Sequence, residues 1–163
     1  MHQHVAYDTA FVLDLFICKK NMFYSLLVNT KLMSSESHFL QLDIGIIGGG
    51  CSGLVTLKEF TAEGHRCRLF ERSNSIGGLY TQAYREGIFV SSHLLTMFGD
   101  FVGKTDEILS KPRMLSFEEY VQYLNDYADQ FQLNQFICCQ SEVTRVWKDH
   151  SKNKWMISIN NDE

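Results

Sequence analysis

Several classes are excluded by what this sequence has little of. A single proline and eleven glycines in 163 residues argue against a disordered or low-complexity chain. Basic residues are not in excess: 15 Lys and Arg stand against 19 Asp and Glu, a net charge of −4. Nucleic acid, whose phosphates attract a basic face, is therefore not an expected partner. No apolar run reaches the roughly 20 residues that span a bilayer. Phe11–Cys18 is interrupted by Asp14, and Lys19, Lys20 and Asn21 separate it from Phe23–Val28. The start, His2-Gln3-His4, lacks the basic opening of a signal peptide, and no small-residue cleavage site follows. These absences point to a cytoplasmic protein without membrane association.

The five cysteines (Cys18, Cys51, Cys67, Cys138, Cys139) are odd in number and show no CxxC spacing. That excludes a disulfide framework or zinc site and fits free thiols in a reducing compartment. Cys138 and Cys139 read as two small apolar residues on opposite faces of a strand rather than a redox pair. His65 and His150 fall in turns, and no histidine has a partner at metal-ligand spacing, so no metal is expected.

What remains is an ordinary globular composition, with 45% hydrophobic and 21% charged residues, about one domain long. Organised structure is expected from Leu42. The β-branched run Leu42–Ile47 ends in three glycines, as a buried parallel strand would. Cys51 to Glu63 can form a helix lined by Leu54, Val55, Leu57 and Phe60, with Gly64 placed to end it. Arg66–Phe70 alternates and ends at Glu71. This is strand, helix and strand, a βαβ unit. Two short extended pieces follow, Leu79–Tyr84 and Gly87–Ser91, with Arg85-Glu86-Gly87 as their turn. Residues 92–115 show no assignable period. Ser116-Phe117-Glu118-Glu119 is a capping box opening a helix to about Phe131. Its stripe of Phe117, Tyr120, Leu124, Tyr127 and Phe131 reads as a core face. Phe136–Cys139 reads as a third parallel strand, and Val143–Lys148 with Lys154–Ile159 as an antiparallel hairpin around Asp149–Asn153. The fold class is α/β: a Rossmann-like βαβ unit with a parallel sheet plus an antiparallel hairpin. Residues 1–40 read as an extension outside this fold.

The chemistry is concentrated at Gly48-Gly49-Gly50-Cys51-Ser52-Gly53, which contains GxGxxG between the first strand and the helix. Gly48 allows the tight turn, Gly50 lets backbone approach a pyrophosphate, and Gly53 lets helix pack closely on strand. Backbone N–H groups at the helix start, backed by the helix dipole, then hold the phosphates. Glu71 closes the next strand, where a carboxylate accepts hydrogen bonds from the adenosine ribose hydroxyls. An acid at that position disfavours a 2′-phosphate, so this site should not prefer NADP. The continuation Glu71-Arg72 to Gly77-Gly78-Leu79-Tyr80 resembles that of FAD enzymes of the glutathione-reductase type.

Further along, the chain resembles flavin-containing monooxygenases of the dimethylaniline N-oxide-forming kind, from about Leu42 to Ile159. The resemblance rests on GGGCSGL, on FERSNSIGGLY, on FVSSHLLTMFGDF (ending Phe98-Gly99-Asp100-Phe101), and on the helix carrying Tyr120, Tyr123, Leu124 and Tyr127. It implies that residues 41–163 are a partial FAD-binding domain. The cofactor-binding residues it implies are Gly48, Gly49, Gly50, Cys51, Ser52, Gly53, Glu71, Arg72, Gly78, Leu79, Tyr80, Ser91 and Ser92. It further implies that NADPH, held by a domain this sequence does not contain, reduces FAD. Oxygen then gives a flavin hydroperoxide that oxygenates a small amine or sulfide. No catalytic side chain is expected.

The sequence departs from the family at three points. Tyr80 stands where the family more often has Trp. Val90, aligned without gaps, stands where many members carry an asparagine near the flavin, so Ser91 or Ser92 would have to take that role. No second GxGxxG is present, nor the later strands that should close the sheet on its other side. The expectation is a fragment with an unpaired sheet edge, prone to aggregate. Two other readings stay open: a truncated, non-catalytic flavin-fold module, or another FAD oxidoreductase of the glutathione-reductase type. FVSSHLLTMFGDF argues against the latter. A methyltransferase is more distant, because its glycine loop lacks the later glycine pair.

Overall fold

The computed structural model of the chain describes residues 2–7, 9–12, 41–82, 86–103 and 113–161. In chain order these form β1 (His2–Tyr7), β2 (Thr9–Val12), β3 (Asp43–Ile47), α1 (Cys51–Ala62), β4 (Arg66–Phe70) and a 3-10 turn (Gly78–Thr81). There follow β5 (Ile88–Ser92), α2 (His93–Thr96), β6 (Met114–Ser116), α3 (Phe117–Gln130) and a second 3-10 turn (Leu133–Phe136). β7 (Ile137–Cys138), β8 (Ser141–Asp149) and β9 (Lys154–Asn161) complete the described elements.

β2, β3, β4 and β7 form a parallel sheet in that order, and β1, β9 and β8 an antiparallel one. Successive side chains of a strand face opposite ways. On one face of the parallel sheet Ile44, Ile46 and Leu69 join Leu54 and Leu57 of α1 and Leu124 and Tyr127 of α3, each at most 1% exposed. On the other, Gly45 lies against the Tyr7 ring, and Phe70 packs with Tyr7, Ile157 and Ile159 of the antiparallel sheet. The parallel sheet is thus covered by helices on one side and strands on the other. That is why Ile44–Ile47 of β3 reads as a continuous apolar run, while β4 keeps the exposed Arg66 and Arg68 between its buried residues.

The expected βαβ unit, capping box and hairpin are present. α3 opens with the Ser116 hydroxyl accepting the Glu119 N–H at 3.1 Å, while the Glu119 carboxylate accepts the Ser116 N–H at 2.8 Å. Arg113 also donates to Glu119, at 2.9 Å, and together these bonds hold the Glu119 carboxyl down at about 2. A depressed carboxyl contributes stability above its unfolded value and loses it as pH falls toward the folded one. Between about pH 4.5 and 2, wild type should therefore lose stability that Glu119→Gln never had. Both partners are over a third exposed, so at neutral pH the difference should be only about 1 kcal/mol, read by urea melts of the two proteins.

The structure differs from the sequence reading in four places. Residues 2–7 and 9–12, placed outside the fold, belong to it: β1 pairs antiparallel with β9, and β2 parallel with β3. β2 lies beside β3, so among the described strands the sheet's unpaired edges are β2 and β7. A buried strand exposes donors and acceptors that another strand satisfies, and Thr9–Val12 supplies them. The rest of the supposed extension, including Cys18 and most of both apolar runs, lies outside the described residues. Leu79–Tyr84 does not begin as an extended piece: Gly78–Thr81 is a 3-10 turn. Gly77, at φ +130°, redirects the chain, and Thr81 Oγ1 donates to the Gly78 carbonyl at 2.8 Å. β5 forms close to where it was expected, but pairs antiparallel with β6, inside the stretch that showed no period. β7 is shorter than expected: Cys138 ends it, Cys139 lies beyond, and Gln140 turns at φ 52°.

Candidate dinucleotide-binding site

The first glycine segment connects the C-terminal end of β3 to α1. Gly48 has φ 100°, a conformation open to glycine, and its N–H donates to the Phe70 carbonyl at 2.8 Å, tying the turn to β4. Gly53 sits one turn into α1 where a Cβ would run into the Gly48 carbonyl oxygen. Gly50, the N-cap residue, has no side chain with which to cap α1. A Cβ built there would meet only the Gly78 Cα, at 3.7 Å. The first N–H groups of a helix have no partners within it. Here they open onto a spot kept free of side chains, the requirement for holding a pyrophosphate against backbone.

Glu71 closes the loop from below. Its carboxylate is 6% exposed, and it accepts the Gly49 N–H at 2.6 Å and the Ser73 N–H at 2.8 Å. Its own backbone is fixed by Glu71 N–H donating to Cys138 O and Ser141 N–H donating to Glu71 O, both at 2.9 Å. The acid therefore holds β4, β7 and the glycine turn together. No ion pair involves it among the described residues; backbone N–H groups compensate its burial instead.

The second glycine pair meets the first directly. Gly77 N–H donates to the Gly49 carbonyl at 3.0 Å, and a Cβ on Gly78 would stand 3.0 Å from the Gly50 Cα. Tyr80, just beyond, packs against Phe89 of β5 and Tyr120 of α3 at 5.0 Å, and against Phe117 at 5.3 Å. Burial first, then Cys51 and Tyr80, push the Tyr120 hydroxyl far above its ordinary value, so it stays protonated. Burial likewise pushes the Cys67 thiol up to about 11, as suits an unreactive core cysteine.

Gly48 to Gly53, Glu71 and Gly78 are thus brought together, with Tyr80 beside them. Leu79, 68% exposed, points away from the core, and Arg72 is exposed at the strand end. Arg72 lines a polar cleft of about 420 Å³ with Ser73, Asn74, Gln82 and Glu142. Ser91 and Ser92 are half-buried on β5, which the aromatic cluster links to the glycine loops. The Ser91 hydroxyl is engaged by Thr96 Oγ1 at 2.8 Å, while Ser92 is the N-cap of α2 and makes no capping bond. Val90 is 93% exposed. His93 is a core histidine: it is fully buried, and its Nδ1 accepts the Arg113 N–H at 3.2 Å.

Sequence reasoning missed the bracing by the Ser73 N–H, the Tyr120–Tyr80 contact, and Gln82 and Glu142 at the cleft. Tyr120 was visible as part of the aromatic stripe, which one helix face could not distinguish from plain core. Gln82 and Glu142 lie 60 residues apart and carried no shared signal.

A family model described as flavin-binding monooxygenase-like matches residues 41–163. The chain belongs to that family. Among proteins similar to this flavin-binding monooxygenase-like chain, a monooxygenase, ptmN of Penicillium ochrochloron, is 34% identical over 129 residues, covering 74% of this chain and 21% of its own length. A decarboxylating 4-hydroxybenzoate brominase of Pseudoalteromonas luteoviolacea (strain 2ta16) is 31% identical over 120 residues, covering 72% and 22%. A crystal structure of OTEMO in complex with FAD and NADP has the same fold, with a TM-score of 0.65 at 19% identity, over 74% of this chain and 23% of its own. The chain spans about a fifth of the length of these two relatives. No helix of the described residues is long and apolar enough to cross a membrane.

Proposed function

We propose that this chain binds FAD and forms the FAD-binding part of an NADPH-dependent monooxygenase that oxygenates small amines or sulfides. The observation that carries the reading is the meeting of two glycine loops over a buried acid. Gly50 and Gly78 approach backbone to backbone beside an uncapped helix start, and Glu71 is pinned under Gly49. When bound, FAD would supply the oxygen chemistry and take electrons from NADPH.

The chain's own residues position and exclude. The N–H groups of Cys51, Ser52 and Gly53 would hold the pyrophosphate, with the dipole of a 12-residue helix behind them. Glu71 offers its carboxylate to the ribose hydroxyls. Gly78, Leu79 and Tyr80 would border the cofactor, and the cleft lined by Arg72, Ser73, Asn74, Gln82 and Glu142 would be available to its adenosine end. Ser92, with no capping bond, stands nearer than Ser91 to the role that Val90 cannot fill. Partly exposed thiols at Cys51, Cys138 and Cys139 support a reducing compartment, the cytoplasm.

The test is an absorption spectrum of the purified chain after incubation with FAD and desalting. A retained flavin band is expected, and Gly50→Val should abolish it while leaving the circular dichroism spectrum unchanged. Gly50 has φ −81°, which valine adopts, and a Cβ there makes only ordinary contact with the Gly78 Cα at 3.7 Å, so the methyl groups would crowd the cofactor's space without backbone strain. A colourless wild type with a folded spectrum would refute FAD binding by this chain alone and favour the non-catalytic module. NADPH oxidation is then read on a longer polypeptide that includes the NADPH-holding part, with an amine, a sulfide and a phenol, because one relative is a 4-hydroxybenzoate brominase.

A further inference from the structure

We propose that Tyr123 and the Lys58–Asp100 ion pair are positioning residues for the flavin: they hold the end of β5, with Ser91 and Ser92, in register with the glycine loop that opens α1. This rests on FAD binding as proposed above.

Residues Phe98-Gly99-Asp100-Phe101 make a β-turn, closed by the Phe101 N–H donating to the Phe98 carbonyl at 3.2 Å. The other two backbone groups that face across it are joined by a single atom. The Tyr123 hydroxyl of α3 accepts the Phe98 N–H at 2.7 Å and donates to the Phe101 carbonyl at 2.8 Å. Tyr123 is buried, so without that hydroxyl a donor and an acceptor would be left unpaired away from water. The carboxylate of the same turn, Asp100, accepts from Lys58 Nζ of α1 at 2.7 Å. The Lys58 ammonium also lies 5.2 Å from the centre of the Phe131 ring at the end of α3. The turn is therefore fastened to both long helices by polar contacts.

What the turn carries is α2 and, through it, the two serines. α2 is a single helical turn, too short to be stable by itself, and only His93 of its four residues is buried. Its place is therefore set at its ends. His93 anchors the start, its N–H donating to the Arg113 carbonyl at 2.9 Å, and Met97, beside the β-turn, donates its N–H to the His93 carbonyl at 2.8 Å. Thr96 Oγ1 donates to the Ser92 carbonyl at 3.1 Å. A hydroxyl has one proton to give, so the Ser91 hydroxyl, 2.8 Å away, donates to Thr96 in turn. Both serines follow Thr96, and Thr96 follows the turn. The helix gripped by Asp100 is the one whose start lies at Gly50. Tyr123 and Lys58 thus act on the site through the turn.

The experiment compares Tyr123→Phe, Lys58→Met and Lys58→Arg with wild type, each incubated with FAD, and uses Ile157→Val in the antiparallel sheet as the control for lost stability alone. FAD affinity, the visible circular dichroism of the bound flavin and hydrogen exchange at the Met97 amide are recorded. Tyr123→Phe and Lys58→Met should bind FAD with a Kd within about threefold of wild type. Both should nevertheless alter the flavin's circular dichroism band and exchange the Met97 amide roughly tenfold faster. Lys58→Arg, which keeps a cation for Asp100, should give the wild-type band. Ile157→Val should lower the melting temperature and leave the band unchanged. A wild-type band in Tyr123→Phe or Lys58→Met would overturn the proposal, as would an altered band in Ile157→Val or loss of FAD from Lys58→Met. If Tyr123→Phe fails to fold, Lys58→Met against Lys58→Arg decides. A colourless wild type would refute FAD binding and this role with it, whereas a flavin-bearing wild type with insensitive variants refutes the positioning role alone.

Discussion

Replacing Gly53 with alanine is expected to cost the chain its fold. The new methyl would run into the carbonyl oxygen of Gly48 and approach Leu69 Cδ1 to 3.4 Å. A flexible side chain could swing aside, but this obstacle is backbone, fixed by the Gly48 N–H bond to Phe70 O. The remaining escape is to lift α1 off β3, which would open the core at Leu54 and Leu57, both fully buried. Overpacking a side-chain core costs about 1–3 kcal/mol, and parting a helix from its sheet costs more. Against a total of about 5–15 kcal/mol, that is enough to remove the cooperative thermal transition and most soluble yield. Gly50→Ala is the control. Its methyl would stand 3.7 Å from the nearest atom, and its melting temperature should stay within a few degrees of wild type. A Gly53→Ala protein that melts like wild type would mean that helix and strand are not in this close contact.

This pair of glycines shows what the sequence could and could not tell. The GxGxxG spacing assigned separate roles to Gly48, Gly50 and Gly53; in the structure Gly48 has a positive φ, no side chain lies against Gly50 and Gly53 is packed on Gly48. Local patterns of this kind, including β3, α1, β4 and the Ser116 capping box, were legible because neighbouring residues carry the whole signal. Long-range pairing was not. Nothing within Thr9–Val12 announces that it will lie beside Ile44–Ile47, because parallel neighbours need no turn between them and β-branched runs serve many partners. The three-residue β6 was too short to show a period, although it pairs with β5. The 3-10 turn at Gly78–Thr81 was hidden for a different reason: Leu79 and Tyr80 have side chains at home in strands, and the preceding glycines override that preference.

The site was legible in the same uneven way. Gly77 and Gly78 taken alone are a flexible turn; their meaning comes from lying against Gly49 and Gly50, some 28 residues earlier in the chain. Glu71 could be placed at a strand end from its spacing to Gly50. Its burial, and the two backbone donors that hold it, come from the glycine turn after β3 and from the turn after β4, which spacing does not report.

Glu71→Gln should therefore weaken both the loop and its cofactor. Glutamine keeps the shape but offers one oxygen where the carboxylate offers two, at 2.6 Å to Gly49 N–H and 2.8 Å to Ser73 N–H. Its amide NH₂ would face one of those donors, leaving a buried N–H without an acceptor. A hydrogen bond to a charged group contributes about 1.5–3 kcal/mol, so the melting temperature should fall by roughly 5–10 °C. If the carboxylate also accepts the ribose hydroxyls, the same substitution should raise the Kd for FAD roughly 10- to 100-fold, since about 1.4 kcal/mol is a factor of ten. Flavin fluorescence quenching at a temperature where both proteins are folded separates the two effects. Arg72→Ala, on an exposed cation at the cleft but outside the brace, should leave stability unchanged and weaken FAD binding by about threefold, less than Glu71→Gln does. A Glu71→Gln protein that loses stability but binds FAD like wild type would make the acid a brace for the glycine turn only. The ribose would then be recognised at the cleft lined by Arg72, Ser73, Asn74, Gln82 and Glu142, and Arg72→Ala would be the more damaging substitution.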